Sequence, residues 1–123
     1  MTKQKKVLIV DDDRAITHVL ELKLQHEGYK TKVVESGQAC LRLLNRQNFD
    51  AMLLDMMLPD GDGFWVLEQL KKKEHTLIIF ALSNLNQAED EEHALSLGAQ
   101  QFFVKNSTQL SEIIDAIKQI SIY

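Results

Sequence analysis

Phe49-Asp50-Ala51-Met52-Leu53-Leu54-Asp55-Met56-Met57-Leu58-Pro59-Asp60-Gly61-Asp62-Gly63 is the stretch that decides the fold of this 123-residue chain. A short apolar run stops abruptly at an acid, Asp55, and a loop dense in proline, glycine and aspartate follows. An apolar run of this length, bounded by turn residues, reads as a strand buried on both faces. Asp55 then stands at the C-terminal end of that strand, the edge where open α/β sheets bind ligands. Val7-Leu8-Ile9-Val10 stops in the same way, at Asp11-Asp12-Asp13. Two buried strands thus deliver carboxylates to one edge.

The rest of the chain alternates around this strand. Residues 5–10 read as the first strand, and a helix over about 14–27 places Ile16, Val19, Leu20 and Leu24 on one face. Gly28 ends that helix where a left-handed residue is wanted. Residues 29–35 read as an edge strand. Ser36 caps a second helix with Ala39, Cys40, Leu43 and Leu44 inward. The central strand covers 50–54. A third helix starts at Phe64 with Leu67 and Leu70 on its stripe, and Lys71-Lys72-Lys73 suit its C-terminal end. Trp65 lies off that stripe. Strand 77–82 ends at Ser83, a fourth helix covers about 88–97, and strand 101–104 ends at Lys105. The last helix carries Leu110, Ile113, Ile114, Ile117 and Ile120, with Ser107 or Thr108 as its cap. Five strands alternating with five helices imply an α/β fold, a five-stranded parallel sheet with helices on both faces and right-handed crossovers. Topology then gathers Asp11, Asp12, Asp13, Asp55, Ser83 and Lys105 at one sheet edge.

Composition narrows the function classes. Residues 1–123 are expected to form one domain, since 45% are hydrophobic and 26% charged. A formal charge of −4 argues against direct nucleic-acid binding, which needs a basic face. No apolar run approaches the roughly 18 residues of a membrane span. The basic start, Met1 to Lys6, leads straight into a strand too short for a signal-peptide core. The single cysteine, Cys40, agrees with a reducing compartment, so a cytoplasmic location is expected. The four histidines lack metal-ligand spacing, and Glu89-Asp90-Glu91-Glu92 reads as a solvated first helical turn.

The edge itself suggests phosphoryl chemistry. Clustered carboxylates raise one another's pKa unless a cation neutralises them. An oxygen-only set suits Mg²⁺, which needs only one or two carboxylates. A carboxylate beside such an ion can attack phosphorus and form an aspartyl phosphate. Lys105 supplies a second cation, and Ser83 a hydroxyl donor to a phosphoryl oxygen.

In these motifs, taken in order and spacing from about residue 5 to 120, the chain resembles the response-regulator receiver domains of bacterial two-component (phosphorelay) signalling. The resemblance implies a flavodoxin-like doubly wound fold with sheet order 2-1-3-4-5. It makes Asp55 the phosphoacceptor, served by a sensor histidine kinase or a phosphotransfer protein. Asp12 would ligate Mg²⁺ (or Mn²⁺) directly, Asp11 would assist through water, and Asp55 and the Met57 backbone carbonyl would complete the ligand set. Lys105 would contact the phosphoryl group. Ser83 would move toward it, and Phe102, at the aromatic switch position, would rotate inward. The readout would be the surface of the fourth helix, fifth strand and fifth helix, passed to an output partner or domain, with a phosphorylation-linked dimer as one form of output. Such a chain is a switch that assists its own phosphorylation and dephosphorylation, not a turnover enzyme.

Three positions depart from the family pattern. Asn106 follows Lys105 where proline with a cis bond is usual. A cis bond before a non-proline residue costs about 2.5–4 kcal/mol, so a trans bond is expected. Asn84 replaces a small residue beside Ser83. Met57 and Leu85, flanking the site, are apolar and cannot orient a water, which points to slow loss of phosphate. Two rival readings stand beside the switch: a phosphorylation-independent interaction module, and a Mg²⁺-dependent phosphatase using an Asp11-x-Asp13 pattern.

Overall fold

The structure is a computed structural model that describes residues 4–84 and 87–120. Its elements are β1 (Lys6–Val10), α1 (Arg14–His26), β2 (Lys30–Val34), α2 (Gly37–Leu44) and β3 (Ala51–Asp55). After a small hairpin come α3 (Gly63–Lys71), β4 (Ile78–Ser83), α4 (Ala88–Ser96), β5 (Gln101–Val104) and α5 (Leu110–Ile120). The sheet is wholly parallel, in the order β2-β1-β3-β4-β5. This is the expected doubly wound order. Successive connections reverse direction between β1 and β3, and there the crevice at the C-terminal edge opens.

Both faces of the sheet are covered, which explains the unbroken apolar runs in the sequence. Along β1, Val7 and Ile9 pack with Leu20, Leu24, Ile113 and Ile117 of α1 and α5. Leu8 and Val10 point the other way, toward Cys40, Leu43, Val66 and Leu67 of α2 and α3. Every residue of β3 is buried. A strand covered on both sides shows no polar alternation, because neither face meets water.

Helix ends follow their cap residues. Asp13 Oδ1 accepts from the Ala15 and Ile16 N–H groups at 3.1 and 3.4 Å and starts α1. Ser36 Oγ accepts from the Ala39 N–H at 3.1 Å and starts α2; such a cap is worth about 1 kcal/mol. Gly28, with φ of +96°, lets the chain leave α1 and turn into β2.

Four local expectations change. Thr17, not Val19, lies on the buried face of α1; its hydroxyl donates to the Arg14 carbonyl, so a polar residue can pack inward. The buried face of α3 is Gly63, Val66, Leu67 and Leu70. Phe64 is half-buried and stacks on His93 of α4, with ring centroids 4.6 Å apart. Helix α5 begins at Leu110, beyond both Ser107 and Thr108; the Ser107 hydroxyl instead donates back to the Val104 carbonyl. Finally, Met57–Leu58 and Gly61–Asp62 pair as a two-stranded antiparallel hairpin that the sequence pattern did not suggest. Its strands are too short for apolar alternation to show.

A groove of about 850 Å³ lies at the opposite end of the sheet, between the C-terminal ends of α2, α3 and α4. It does not reach the acidic edge.

Candidate functional site

Four strand ends build the site. Strand β1 ends before Asp11, β3 ends on Asp55, β4 ends on Ser83, and β5 ends one residue before Lys105. Parallel register puts all four at one level: the Met56 N–H donates to the Leu82 carbonyl at 2.8 Å and the Lys105 N–H to the Ser83 carbonyl at 2.8 Å. Asp11, Asp55 and Ser83 are buried, while Asp12 is exposed at the mouth.

The Lys105 ammonium donates to Asp11 Oδ2 at 2.8 Å and to Asp55 Oδ2 at 3.5 Å. The remaining oxygens also have partners. Asp11 Oδ1 accepts from the Asp13 N–H at 2.9 Å, and Asp55 Oδ1 from the Met57 N–H at 3.1 Å. Carboxylate oxygens of Asp11, Asp12 and Asp55 lie within 4.8 Å of one another. That spacing, with oxygen donors only, fits a small hard cation such as Mg²⁺.

Charge is unevenly balanced here. Burial pushes the Asp55 carboxyl up to about 6; the Met57 N–H opposes that, the charge of Asp11 adds to it, and Lys105 opposes it again. Burial by itself would lower the Lys105 ammonium. The hydrogen bond and charge of Asp11, with Asp55 behind, outweigh burial and hold Lys105 above its usual value. An acid that resists ionisation beside a lysine that keeps its proton marks a place where a further cation is favourable.

The other sequence candidates are placed as follows. Met57 is 56% exposed beside Asp55. Phe102 is half-buried against the α2–α3–α4 side of the core, and its neighbour Phe103 is buried on the other side. Asn84 is exposed, and Leu85 lies outside the described residues. No peptide bond among the described residues is cis, so Lys105–Asn106 is trans, as expected. Cys40 is core, and burial pushes its thiol up to about 12. Sequence reasoning assigned no contact to Asp60. Its turn-like setting hides a contact with residues over twenty positions away.

Comparison with known proteins agrees with this geometry. The family model for the response regulator receiver domain matches residues 7–118. The chain is 31% identical over 114 residues to regulatory protein VanRc of Enterococcus gallinarum, covering 93% of this chain and 48% of that protein. It is 35% identical over 102 residues to the probable transcriptional regulator ycf27 of Guillardia theta, covering 83% and 40%. The chain therefore spans about half or less of the length of these relatives. Among solved structures, a CheY-like receiver domain protein from Methanospirillum hungatei superposes with a TM-score of 0.88 at 26% identity, covering 95% of this chain and 93% of that one.

The chain is a doubly wound sheet that gathers two buried acids and a lysine at its switch point. This chain belongs to the response-regulator receiver domains. Receiver domains are phosphoacceptors rather than conventional enzymes, and they typically bind Mg²⁺ at an acidic pocket such as the one formed by Asp11, Asp12 and Asp55. No helix among the described residues is long and apolar enough to cross a membrane.

Proposed function

We propose that this chain is a phosphorylation-dependent switch in which Asp55 accepts a phosphoryl group from a sensor histidine kinase or a phosphotransfer protein. The observation that carries this reading is the meeting of Asp11, Asp55 and Lys105 from three strand ends far apart in sequence. An Asp55 oxygen attacks phosphorus, the new P–O bond forms as the donor's P–N bond breaks, and the donor imidazole keeps the electron pair. Asp12, Asp55 and the Met57 carbonyl would hold Mg²⁺ (or Mn²⁺), with Asp11 assisting through water. When bound, that ion neutralises the carboxylates and the charge developing on the phosphoryl oxygens. The Met57 N–H orients Asp55. Lys105, released from one of its carboxylates, follows the phosphoryl group, and the Ser83 hydroxyl donates to it.

The output rests on a lightly held element. Helix α4 contributes a single buried residue, Ala94, and Gln87, which precedes its first turn, gives no side-chain cap. Few buried apolar contacts mean a low free energy of local rearrangement. Phe102, half-buried against the core on that side, turns inward as Ser83 moves. The new charge at Asp55 then favours the rearranged state, and the face of α4, β5 and α5 changes for an output partner or domain.

The phosphatase reading needs Asp11 as nucleophile and Asp13 beside it. Asp13 is instead taken up in capping α1, where its Oδ1 accepts from the Ala15 and Ile16 N–H groups. The deciding experiment incubates the protein with Mg²⁺ and a small phosphodonor or beryllofluoride. Modification at Asp55, lost in Asp55→Ala, is expected. An unmodified Asp55 that binds no beryllofluoride would leave only the phosphorylation-independent module.

A further inference from the structure

The tip of the small hairpin reaches another helix. Asp60 Oδ1 accepts from the Gly37 N–H at 2.9 Å, and Asp60 Oδ2 from the Gln38 N–H at 3.0 Å. Ser36 takes the Ala39 N–H. Three of the orphan donors at the start of α2 are therefore satisfied, two of them by a residue from a distant loop. The Gln38 and Gly37 N–H groups also hold the Asp60 carboxyl below its usual range.

Residue 37 makes room for this contact. A β-carbon on Gly37 would fall 2.9 Å from Val66 Cγ2 and 3.4 Å from Trp65 Cζ3. Glycine lets the start of α2 lie against both the hairpin tip and the first turn of α3. The base of the hairpin belongs to the site: Met57 pairs with Asp62, which caps α3 through the Trp65 N–H at 3.0 Å. The Met57 N–H holds Asp55 Oδ1. A hairpin with two residues per strand does not keep its own shape in water. Its tether at the tip is Asp60.

We propose that Asp60 is a positioning residue for the phosphoacceptor: by clamping the hairpin to α2 it fixes the Met57 peptide that orients Asp55 and offers its carbonyl to the cation. The cation half of this statement rests on the Mg²⁺ reading above; the orienting half stands on the hydrogen bonds alone.

The test uses Asp60→Ala and Asp60→Asn in the full chain, with Mg²⁺ titrated through the emission of Trp65, the only tryptophan. Amide hydrogen exchange is followed separately in metal-free buffer. In Asp60→Ala, Mg²⁺ affinity is expected to fall about tenfold, the lower end for an outer-shell partner. Exchange should quicken at Met57 as well as at Gly37 and Gln38. Asp60→Asn keeps one acceptor oxygen and should fall between. A role confined to capping α2 predicts faster exchange at Gly37 and Gln38 only, with Met57 and Mg²⁺ affinity at wild-type values; that result overturns the proposal. If the wild type takes up no Mg²⁺, the cation reading fails by itself. Met57 exchange then decides the clamp, faster in Asp60→Ala supporting it and unchanged exchange overturning it.

Discussion

The Lys105 ammonium sits 2.8 Å from Asp11 and is closer to it than to Asp55, the acid proposed to take the phosphoryl group. Asp11 is 1% exposed and the Lys105 side chain 12%. One cation therefore serves two buried carboxylates. The pair Asp11–Lys105 is nearly balanced, and Asp55 carries the deficit. Burial pushes the Asp55 carboxyl up to about 6, and the neighbouring charge of Asp11 adds to that rise.

The imbalance has a pH signature. Asp55 binds its proton more tightly in the native state than in the unfolded chain, where its value is near 3.8. Its contribution to stability is then fully present below pH 4 and is lost as pH rises through about 6. Asp55→Asn removes that loss. In metal-free buffer the variant should be more stable than the wild type by about 1–3 kcal/mol at pH 8, the gap closing below pH 4. Urea unfolding at the two pH values measures it, and a gap independent of pH would refute the assignment.

Lys105→Met strips two buried acids of their cation. Removing one partner of a buried pair costs about 3 kcal/mol or more, so a clear loss is expected at pH 8 without metal. Mg²⁺ should restore much of this, because the acids regain a counter-charge. Thermal unfolding with and without Mg²⁺ provides the comparison; a deficit that metal leaves untouched would count against a shared cation site.

Asp12 is exposed and makes no ion pair among the described residues, so Asp12→Ala should change metal-free stability by no more than about 0.5 kcal/mol. Mg²⁺ at a hundredfold excess over its dissociation constant should stabilise the wild type by about 2.7 kcal/mol. That gain should shrink sharply in Asp12→Ala. Equal gains in the two proteins would remove Asp12 from the ligand set.

The Met57 side chain stands exposed beside the proposed acceptor and carries no hydrogen-bonding group to orient a water. Phosphate on Asp55 should therefore be long-lived, and Met57→Asn should speed its loss several-fold, short of the roughly 10²–10⁴ that a true general base supplies. Timed dephosphorylation of both proteins checks this. Equal rates would show that residue 57 does not set the lifetime.

Much of this molecule was legible from local pattern. Uninterrupted apolar runs mark strands covered on both faces, and their abrupt ends at Asp11, Asp55, Ser83 and Lys105 mark one edge of a parallel sheet. Ser36 could be read as a cap because a cap acts on an N–H group two or three residues away. Thr17 could not be read as inward, since its burial depends on a hydroxyl satisfied within its own helix turn. The hairpin was also hidden, its strands being shorter than the period that reveals strands.

Asp55 shows where the division falls. The chain alone determined that this acid ends a buried strand, because burial on both faces is written into five consecutive residues. Only the tertiary structure decided which neighbours it meets: Lys105 shared with Asp11, the Met57 N–H on its other oxygen, and Asp60 fastening that loop to α2. Those contacts join residues brought close by sheet register and helix packing. Their energies depend on distances of a few ångströms, which no spacing along the sequence encodes.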